Sequence, residues 1–203
     1  MKLFYLPGAC SLGIHALLET LGVPFSLEKA DLGSQAFAKV NPAKAVPALV
    51  LDSGQVLTQG PAIMQYLADR FPEQQLGKAA SLEVQAGLQA WLAFASSDFH
   101  GAFKPLFGAQ RFTLQTDDPS LAAVQEAAKA KVEQLLVQLE TVLAGKDFLA
   151  EGRLTIADLY LFPMLRWAKA KVGLEQVPAV AAYLARMLAL PAVQRAMASE
   201  GLQ

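Results

Sequence analysis

The spacing of apolar residues changes near residue 76, and this change constrains the fold more than any other feature of the sequence. Before it, short runs with the two-residue alternation of β-strands are interleaved with runs that have the spacing of helices. After it, only the helical spacing remains, and the breaker-rich loop FPEQQLGKAA lies at the change. A chain of 203 residues can form one large domain or two small ones, each with its own core. The change predicts two domains, over residues 1–77 and 82–203.

The first domain is predicted to be α+β, with the element order βαβ-α-ββα. The run KLFYL ends at Pro7-Gly8, and the helical run that follows ends at Gly22, as glycine often ends helices. A tight Asp-Ser-Gly turn joins two later strands into an antiparallel hairpin, and Pro61 suits the first turn of the next helix. The predicted strands are residues 2–6, 24–30, 48–51 and 55–58, and the predicted helices are residues 11–22, 35–40 and 61–70.

The second domain is predicted to be all-helical, because long runs with helical spacing follow one another to its end. Thr155 and Asp158 have the spacing of a capping box, in which two side chains bond the backbone amides at a helix start. We interpret this box as a structural signal for a helix that opens within RLTIADLYLF. The other predicted helices are residues 82–99, 121–143 and 180–197.

Charge and run lengths exclude several classes of partner. The chain has 17 basic and 18 acidic residues, a net charge of −1, and no basic stretch long enough to follow a phosphate backbone. Every apolar run is shorter than the roughly 18 residues that span a bilayer. The apolar run in the start MKLFYLPGAC is too short for a signal peptide. We therefore expect a cytoplasmic protein with no nucleic-acid partner and no membrane contact.

Composition also bears on assembly and on metal binding. Hydrophobic residues make up 54% of the chain, so the apolar excess has to be buried in a core or in a subunit interface, and we expect a homodimer. The only cysteine, Cys10, cannot form an internal disulfide. Together with the only two histidines, His15 and His100, it is a poor set of metal ligands, so we expect no metal.

Cys10 is the residue with the clearest chemical potential. It follows a Pro-Gly turn and directly precedes a helical run. The partial positive charge of a helix N-terminus favours a thiolate over a thiol, which predicts a lowered pKa and a reactive sulfur. The alternative is a small apolar side chain buried in the core, which is a common environment for a lone cysteine.

Four motifs in order resemble the glutathione transferases over essentially the whole chain, and the bacterial beta class most closely. They are MKLFYLPGACSLGIH, NPAKAVPALVLDSGQVLTQGPAIMQYLAD, FHGAFKPLF and RLTIADLYLF. The resemblance implies a thioredoxin-like first domain, an all-helical second domain and a homodimer. It also implies that glutathione binds between the domains as co-substrate, and that its thiol is activated for attack on a small apolar electrophile or for exchange with a disulfide.

The resemblance implies catalytic roles for three residues. In beta-class enzymes the cysteine that matches Cys10 contacts the glutathione sulfur and can form a mixed disulfide with it, and the serine that matches Ser11 lies beside it. The histidine that matches His100 reaches the same sulfur from the helical domain, where a ring N–H stabilises a thiolate. Lys104 and Phe107 are expected to line the pocket, Lys104 as a glutathione-binding residue, although packing alone would also explain Phe107.

The resemblance also implies where the rest of glutathione binds. Val46-Pro47 matches a family Val-Pro whose cis peptide bond turns the backbone toward the cysteinyl part of the tripeptide. The helix start at Gly60 offers amides to the γ-glutamyl carboxylate. Gln59 stands where the family usually has a glutamate that receives the γ-glutamyl ammonium. A neutral amide still accepts a hydrogen bond but lacks the charge attraction.

Two other functions stay open at this point. The first is a glutathione-dependent disulfide reductase or peroxidase in which Cys10 is the covalent nucleophile. The second is a non-catalytic binding or regulatory protein with the same fold. It is favoured by Gln59 and by the absence of an arginine and an asparagine that the resemblance suggests at Gln85 and Ala93.

Three further residues are predicted to be structural. His15 is expected on the flank of the first helix. Trp91 and Trp167 are expected as aromatic side chains of the core.

Overall fold

A four-stranded sheet forms the centre of the N-terminal part in the computed structural model, which describes residues 1–203. The strand order is β2-β1-β3-β4. The first pair is parallel, and the other two pairs are antiparallel, so the predicted hairpin is confirmed. The strands are β1 (Lys2–Tyr5), β2 (Ser26–Lys29), β3 (Ala48–Val50) and β4 (Val56–Thr58).

Three helices flank this sheet at the predicted positions. They are α1 (Ser11–Leu21), α2 (Gln35–Val40) and α3 (Gly60–Arg70). Helix α1 ends as the sequence predicts, because Gly22 adopts the left-handed φ of 66° and donates its N–H to the carbonyl of Leu18. The predicted element order βαβ-α-ββα is therefore confirmed.

The C-terminal part is all-helical, as predicted. Its α-helices are α4 (Leu82–Ala93), α5 (His100–Phe107), α6 (Asp118–Leu143), α7 (Ile156–Lys171), α8 (Pro178–Leu188) and α9 (Pro191–Ser199). None of the chain's helices is both long enough and apolar enough to cross a bilayer.

Two predicted helix boundaries are wrong. The run at 82–99 does not end there, because a π-helical turn over Phe94–Phe99 leads directly into α5. The run at 180–197 is divided into α8 and α9 at Pro191. Leu190 is extended, with a φ of −66° and a ψ of 128°, because the proline ring disfavours a helical conformation in the residue before it.

The two parts share one main core. A continuous cluster of 42 buried residues includes Leu17 of α1, Leu159 of α7 and Val193 of α9. Helix α1 crosses α7 so closely that a Cβ on Gly13 would lie 2.5 Å from the backbone oxygen of Leu159. The N-terminal part also has a small separate cluster of four buried residues, Phe4, Ala30, Phe37 and Ala48. The two parts are thus joined by a shared core, and the boundary between residues 77 and 82 stays a prediction.

The predicted capping box at the start of α7 is confirmed, and its Asp158 also accepts hydrogen bonds from residues outside the box. The buried carboxylate of Asp158 accepts hydrogen bonds from Thr155 N (2.8 Å) and from Thr155 Oγ1 (2.6 Å). It also accepts from Leu149 N and from the Tyr183 hydroxyl, both at 2.9 Å. Burial raises the pKa of Asp158, and these four hydrogen bonds oppose that rise. The start of α7 is thus tied to the preceding loop and to α8.

Candidate active site

A cleft of about 260 Å³ opens between the sheet and the helical part. Its volume lies just below the range of about 300 to 1,000 Å³ that is typical of small-molecule sites. Seven of the eight predicted site residues line it, and Ser11 does not. The lining residues are Cys10, Asn41, Ala43, Ala45, Val46, Pro47, Thr58, Gln59, Gly60, Ser96, His100, Lys104 and Tyr160.

Cys10 lies at the N-cap of α1 and at the floor of this cleft. Its side chain is largely buried, and Sγ donates a weak hydrogen bond to the Val46 carbonyl at 3.5 Å. Burial raises the pKa of the Cys10 thiol to about 11, whereas hydrogen bonds from the backbone amides of Cys10 and Ser11 lower it by less. The prediction of a lowered pKa is wrong, because loss of water around the sulfur outweighs the helix terminus. Cys10 is therefore a neutral thiol at pH 7.

The raised pKa of Cys10 has a measurable consequence. Below the pKa the thiolate fraction grows about tenfold per pH unit, so alkylation of Cys10 by iodoacetamide is expected to keep accelerating from about pH 7 to pH 10. Free cysteine, with a pKa of about 8.5, is the control and levels off near pH 9. Mass spectrometry of samples quenched at successive times measures both alkylation rates. If the alkylation rate of Cys10 levelled off below pH 9, the thiol would not be held in its neutral form.

Ser11 is placed differently from its prediction. The residue is fully buried, and its hydroxyl both donates to the Leu6 carbonyl and accepts from the Leu6 N–H, each at 3.3 Å. These two bonds join the ends of the loop between β1 and α1 and so stabilise its turn. Ser11 therefore lies beside Cys10 in the chain but does not line the cleft, and its predicted catalytic role has no support in its position.

The peptide bond between Val46 and Pro47 is cis, as the resemblance implies. Asn41 shapes the loop before it, because its side chain donates to the Ala45 carbonyl at 2.7 Å and accepts from the Ala43 N–H at 3.1 Å. The Val46 backbone is thereby held at the edge of the cleft, opposite Cys10.

Gln59 and Gly60 form the opposite edge of the cleft, at the start of α3. Gln59 is exposed and has a φ of 67°, a left-handed conformation that is strained in a residue with a side chain. The side chain of Gln59 does not cap the helix, so it remains available to a ligand. The first amides of α3 lack partners within the helix and are suited to bind an anion.

His100 and Lys104 approach from α5 on the helical side. Burial lowers the pKa of His100, and the charge of Lys104 lowers it further. The imidazole is therefore neutral at pH 7 and carries one N–H that can donate a hydrogen bond. Lys104 is exposed and forms no ion pair within the chain.

Sequence reasoning missed Tyr160, which also lines the cleft. Tyr160 is only 3% exposed, and its ring packs so tightly on Gly60 that a Cβ there would lie 2.5 Å from the hydroxyl oxygen. Burial, with a smaller contribution from Cys10, raises the pKa of Tyr160 well above its usual value, so the hydroxyl keeps its proton. In the sequence Tyr160 reads as one more apolar position of α7, and no local signal marks it as a site residue.

Several other predicted positions lie away from the cleft. Neither Gln85 nor Ala93 lines it, so their departures from the family pattern do not affect the cleft of a single chain. His15, predicted as a structural residue on the flank of the first helix, is completely buried. No group of three or more His, Cys, Asp or Glu side chains is placed to hold a metal ion.

Comparison with known proteins gives consistent matches over the whole chain. A family model described as "Glutathione S-transferase, N-terminal domain" matches residues 8–70, and one described as "Glutathione S-transferase, C-terminal domain" matches residues 94–191. Glutathione S-transferase GstA of Escherichia coli O157:H7 is 40% identical over 211 residues, which covers 100% of both chains.

Solved structures agree with these matches. A bacterial beta class glutathione S-transferase of Sphingomonas chungbukensis is similar with a TM-score of 0.88 at 37% identity, and 100% of both chains is covered. A sphingomonad glutathione S-transferase complexed with glutathione is similar with a TM-score of 0.87 at 39% identity, again over 100% of both chains.

Proposed function

This chain belongs to the glutathione S-transferase family and is a glutathione transferase, and we propose that its cleft binds glutathione with the thiol beside Cys10. The support for this position is the convergence of Cys10, Val46, Gly60 and His100 on one cleft. A relative of known structure was solved in complex with glutathione, and the similarity covers the full chain.

The three parts of the tripeptide meet three kinds of group in this proposal. The cysteinyl backbone pairs with the backbone beside the cis bond at Val46-Pro47, and the γ-glutamyl carboxylate faces the amides at the start of α3. Gln59 accepts from the γ-glutamyl ammonium through its amide oxygen. Lys104, which has no ion pair in the chain, is positioned to attract a carboxylate of the tripeptide.

Cys10 acts in this proposal as a hydrogen-bond donor to the glutathione sulfur. The glutathione thiol loses its proton to solvent. The neutral S–H of Cys10 then exchanges its weak bond to the Val46 carbonyl for one to the thiolate, which the ring N–H of His100 also stabilises. The thiolate then forms a bond to the electrophilic carbon, and the leaving group departs with the electrons of its own bond. Phe107, which is 51% exposed, does not line the cleft as predicted but lies in a separate depression with Trp167 and Leu188, and this apolar surface is suited to the electrophile.

The raised pKa of Cys10 disfavours the alternative in which this thiol is the covalent nucleophile, because that role requires a thiolate at neutral pH. The same observation therefore favours conjugation by glutathione over a Cys10-centred disulfide reductase or peroxidase. Exchange of Cys10 with oxidised glutathione to a mixed disulfide is expected to be slow at pH 7.

Two substitutions of Cys10 test its role. Cys10→Ala removes the donor, and we expect kcat for glutathione and 1-chloro-2,4-dinitrobenzene to fall about tenfold, since a hydrogen bond to a charged group contributes about 1.5 to 3 kcal/mol before solvent is considered. Cys10→Ser keeps a donor in the same place and is expected to retain most of the activity. If both variants lost activity equally, Cys10 would be acting as the nucleophile. If the wild-type protein failed to bind glutathione in a calorimetric titration, the non-catalytic alternative would be correct.

We further propose that the protein is a cytoplasmic homodimer that detoxifies apolar electrophiles. The cytosol holds the glutathione pool that such a reaction consumes. The resemblance to the beta class supports the dimer, and the apolar side chain of Leu82 on α4 stays 85% exposed in the single chain. Light scattering that gives twice the chain mass of 21.7 kDa would support the dimer, and the monomer mass would contradict it.

A further inference from the structure

A set of hydrogen bonds joins the end of the last helix to the turn that precedes Cys10. Glu200, which directly follows α9, is buried, and its Oε2 accepts from the Gly8 N–H at 2.9 Å. Its Oε1 lies 2.9 Å from Nδ1 of His15 on α1. Trp167 of α7 donates its indole N–H to the Gly8 carbonyl at 2.7 Å. Both backbone polar groups of Gly8 are therefore held by side chains of the helical part.

The place of these bonds along the chain connects them to the sulfur. Gly8 has a left-handed φ of 70° and lies two residues before Cys10. The turn is short and closed, because Ala9 N donates to the Leu6 carbonyl at 3.1 Å and Ser11 bonds Leu6 as well. We therefore expect a shift of Gly8 to move Cys10.

Trp167 also contacts the opposite wall of the cleft. Its ring centre lies 5.3 Å from that of His100, and it packs edge-on against Phe103 and Phe107 at 5.5 and 5.1 Å. One side chain thus touches both the turn that carries Cys10 and the histidine that faces it. The distance between these two donors depends on where Trp167 lies.

The pair of His15 and Glu200 is fully enclosed, with both side chains at 0% exposure. Nδ1 of His15 is the only ring nitrogen with a partner, because Nε2 has none, and the ring lies near Tyr5 and Phe25. A buried carboxylate needs donors on both oxygens, and Glu200 has two, the His15 ring and the Gly8 amide. His15 therefore orients Glu200 toward Gly8.

We propose that Trp167, Glu200 and His15 are positioning residues that set the distance between Cys10 and His100 across the glutathione sulfur. Trp167 and Glu200 act through Gly8, and His15 acts through Glu200. This inference rests on the roles proposed above for Cys10 and His100. The contacts of Trp167 and Glu200 converge on Gly8, the residue two positions before Cys10.

Trp167→Phe is the sharpest test, because it removes the indole N–H and keeps an aromatic ring against His100. Trp91→Phe is the matched control, since Trp91 packs on Phe94 and does not line the cleft. For Trp167→Phe we expect kcat to fall about tenfold while KM for glutathione changes little, because a misplacement of about 1 Å can cost about 100-fold and the shift expected here is smaller. Alkylation of Cys10 by iodoacetamide, which needs no catalysis, is expected to accelerate because the turn is released. Trp91→Phe should leave all three values unchanged.

Substitutions of His15 give an independent test, because one of them is expected to restore the lost hydrogen bond. His15→Ala removes the donor to Glu200, and we expect the same fall in kcat. His15→Asn places an amide N–H near the position of Nδ1 and is expected to restore most of it, because Nε2 has no partner to lose. If His15→Ala fails to fold, the results for Trp167→Phe alone test the positioning role.

The outcomes separate this inference from the proposed function. If Trp167→Phe and His15→Ala lower the unfolding midpoint but leave kcat and the Cys10 alkylation rate unchanged, the network is only structural and the inference is overturned. If Cys10→Ala also leaves kcat unchanged, the proposed role of Cys10 fails first. A fall in kcat for Trp167→Phe, with Trp91→Phe unaffected, supports the positioning role.

Discussion

Asp158→Ala is expected to lower the free energy of unfolding by about 3 kcal/mol or more, the largest stability effect of any single substitution considered for this chain. The change leaves four hydrogen-bond donors without their acceptor, two on Thr155 and one each on Leu149 and Tyr183. Each unsatisfied buried group costs about 1 to 3 kcal/mol, and the cavity left by the carboxylate adds to this. Urea denaturation at fixed protein concentration measures the loss.

Asp117→Ala is the matched control for this prediction. Asp117 caps the start of α6 through the Ser120 N–H at 3.0 Å, yet it is fully exposed, so water replaces the lost acceptor. Its loss should be clearly smaller. Asp158→Asn should lie between the two, because its amide oxygen can still accept from Leu149 and Tyr183 while its NH₂ group meets the Thr155 N–H. Equal losses for Asp158→Ala and Asp117→Ala would show that burial of Asp158 contributes nothing.

Asp158 also marks the limit of what the sequence predicts. The bonds to Thr155 follow from a spacing of three residues at a helix start, so a local pattern predicts them. The bonds from Leu149 and Tyr183 come from a separate loop and from α8, which the fold alone brings to the carboxylate. A local rule identifies the cap, and only the tertiary structure shows that it also links two helices.

Cys10 shows the same limit, but here the local pattern predicts the wrong result. Its position at a helix start is correct, and that position alone favours a thiolate. Burial of the sulfur depends on the loop around Val46 and on the packing of the helical part, neither of which is encoded near Cys10 in the sequence. Since burial has the larger effect, the local rule predicts the wrong direction of the pKa shift.

The division between α8 and α9 is a different case, because its signal was present in the sequence. Pro191 lies inside a run with regular helical spacing. A proline inside such a run ends or kinks the helix at the residue before it, and Leu190 is extended for this reason. The apolar spacing continues across the break because both helices pack on the same core. Periodicity alone therefore overestimated the length of the helix.

Gly60→Ala is expected to weaken glutathione binding about 5- to 140-fold, the largest effect on the cleft. A Cβ on Gly60 would lie 2.2 Å from Cε2 of Tyr160 and 2.5 Å from its hydroxyl oxygen. Tyr160 belongs to the main core and also lines the cleft, so we expect the displaced ring to move into the cleft. Overpacking costs about 1 to 3 kcal/mol, which corresponds to that range if the displaced ring competes with the ligand.

The backbone of Gly60 itself accepts alanine, because its φ is not left-handed, so the loss isolates the contact with Tyr160. Gly101→Ala on α5 is the control, since a Cβ there meets nothing within 4 Å. The double variant Gly60→Ala/Tyr160→Leu should recover binding relative to Gly60→Ala, because the smaller side chain makes room. Calorimetric titration with glutathione measures all four proteins, including the wild type. Unchanged affinity of Gly60→Ala would place glutathione away from the start of α3, whereas loss without recovery in the double variant would mean that the Tyr160 hydroxyl itself binds the tripeptide.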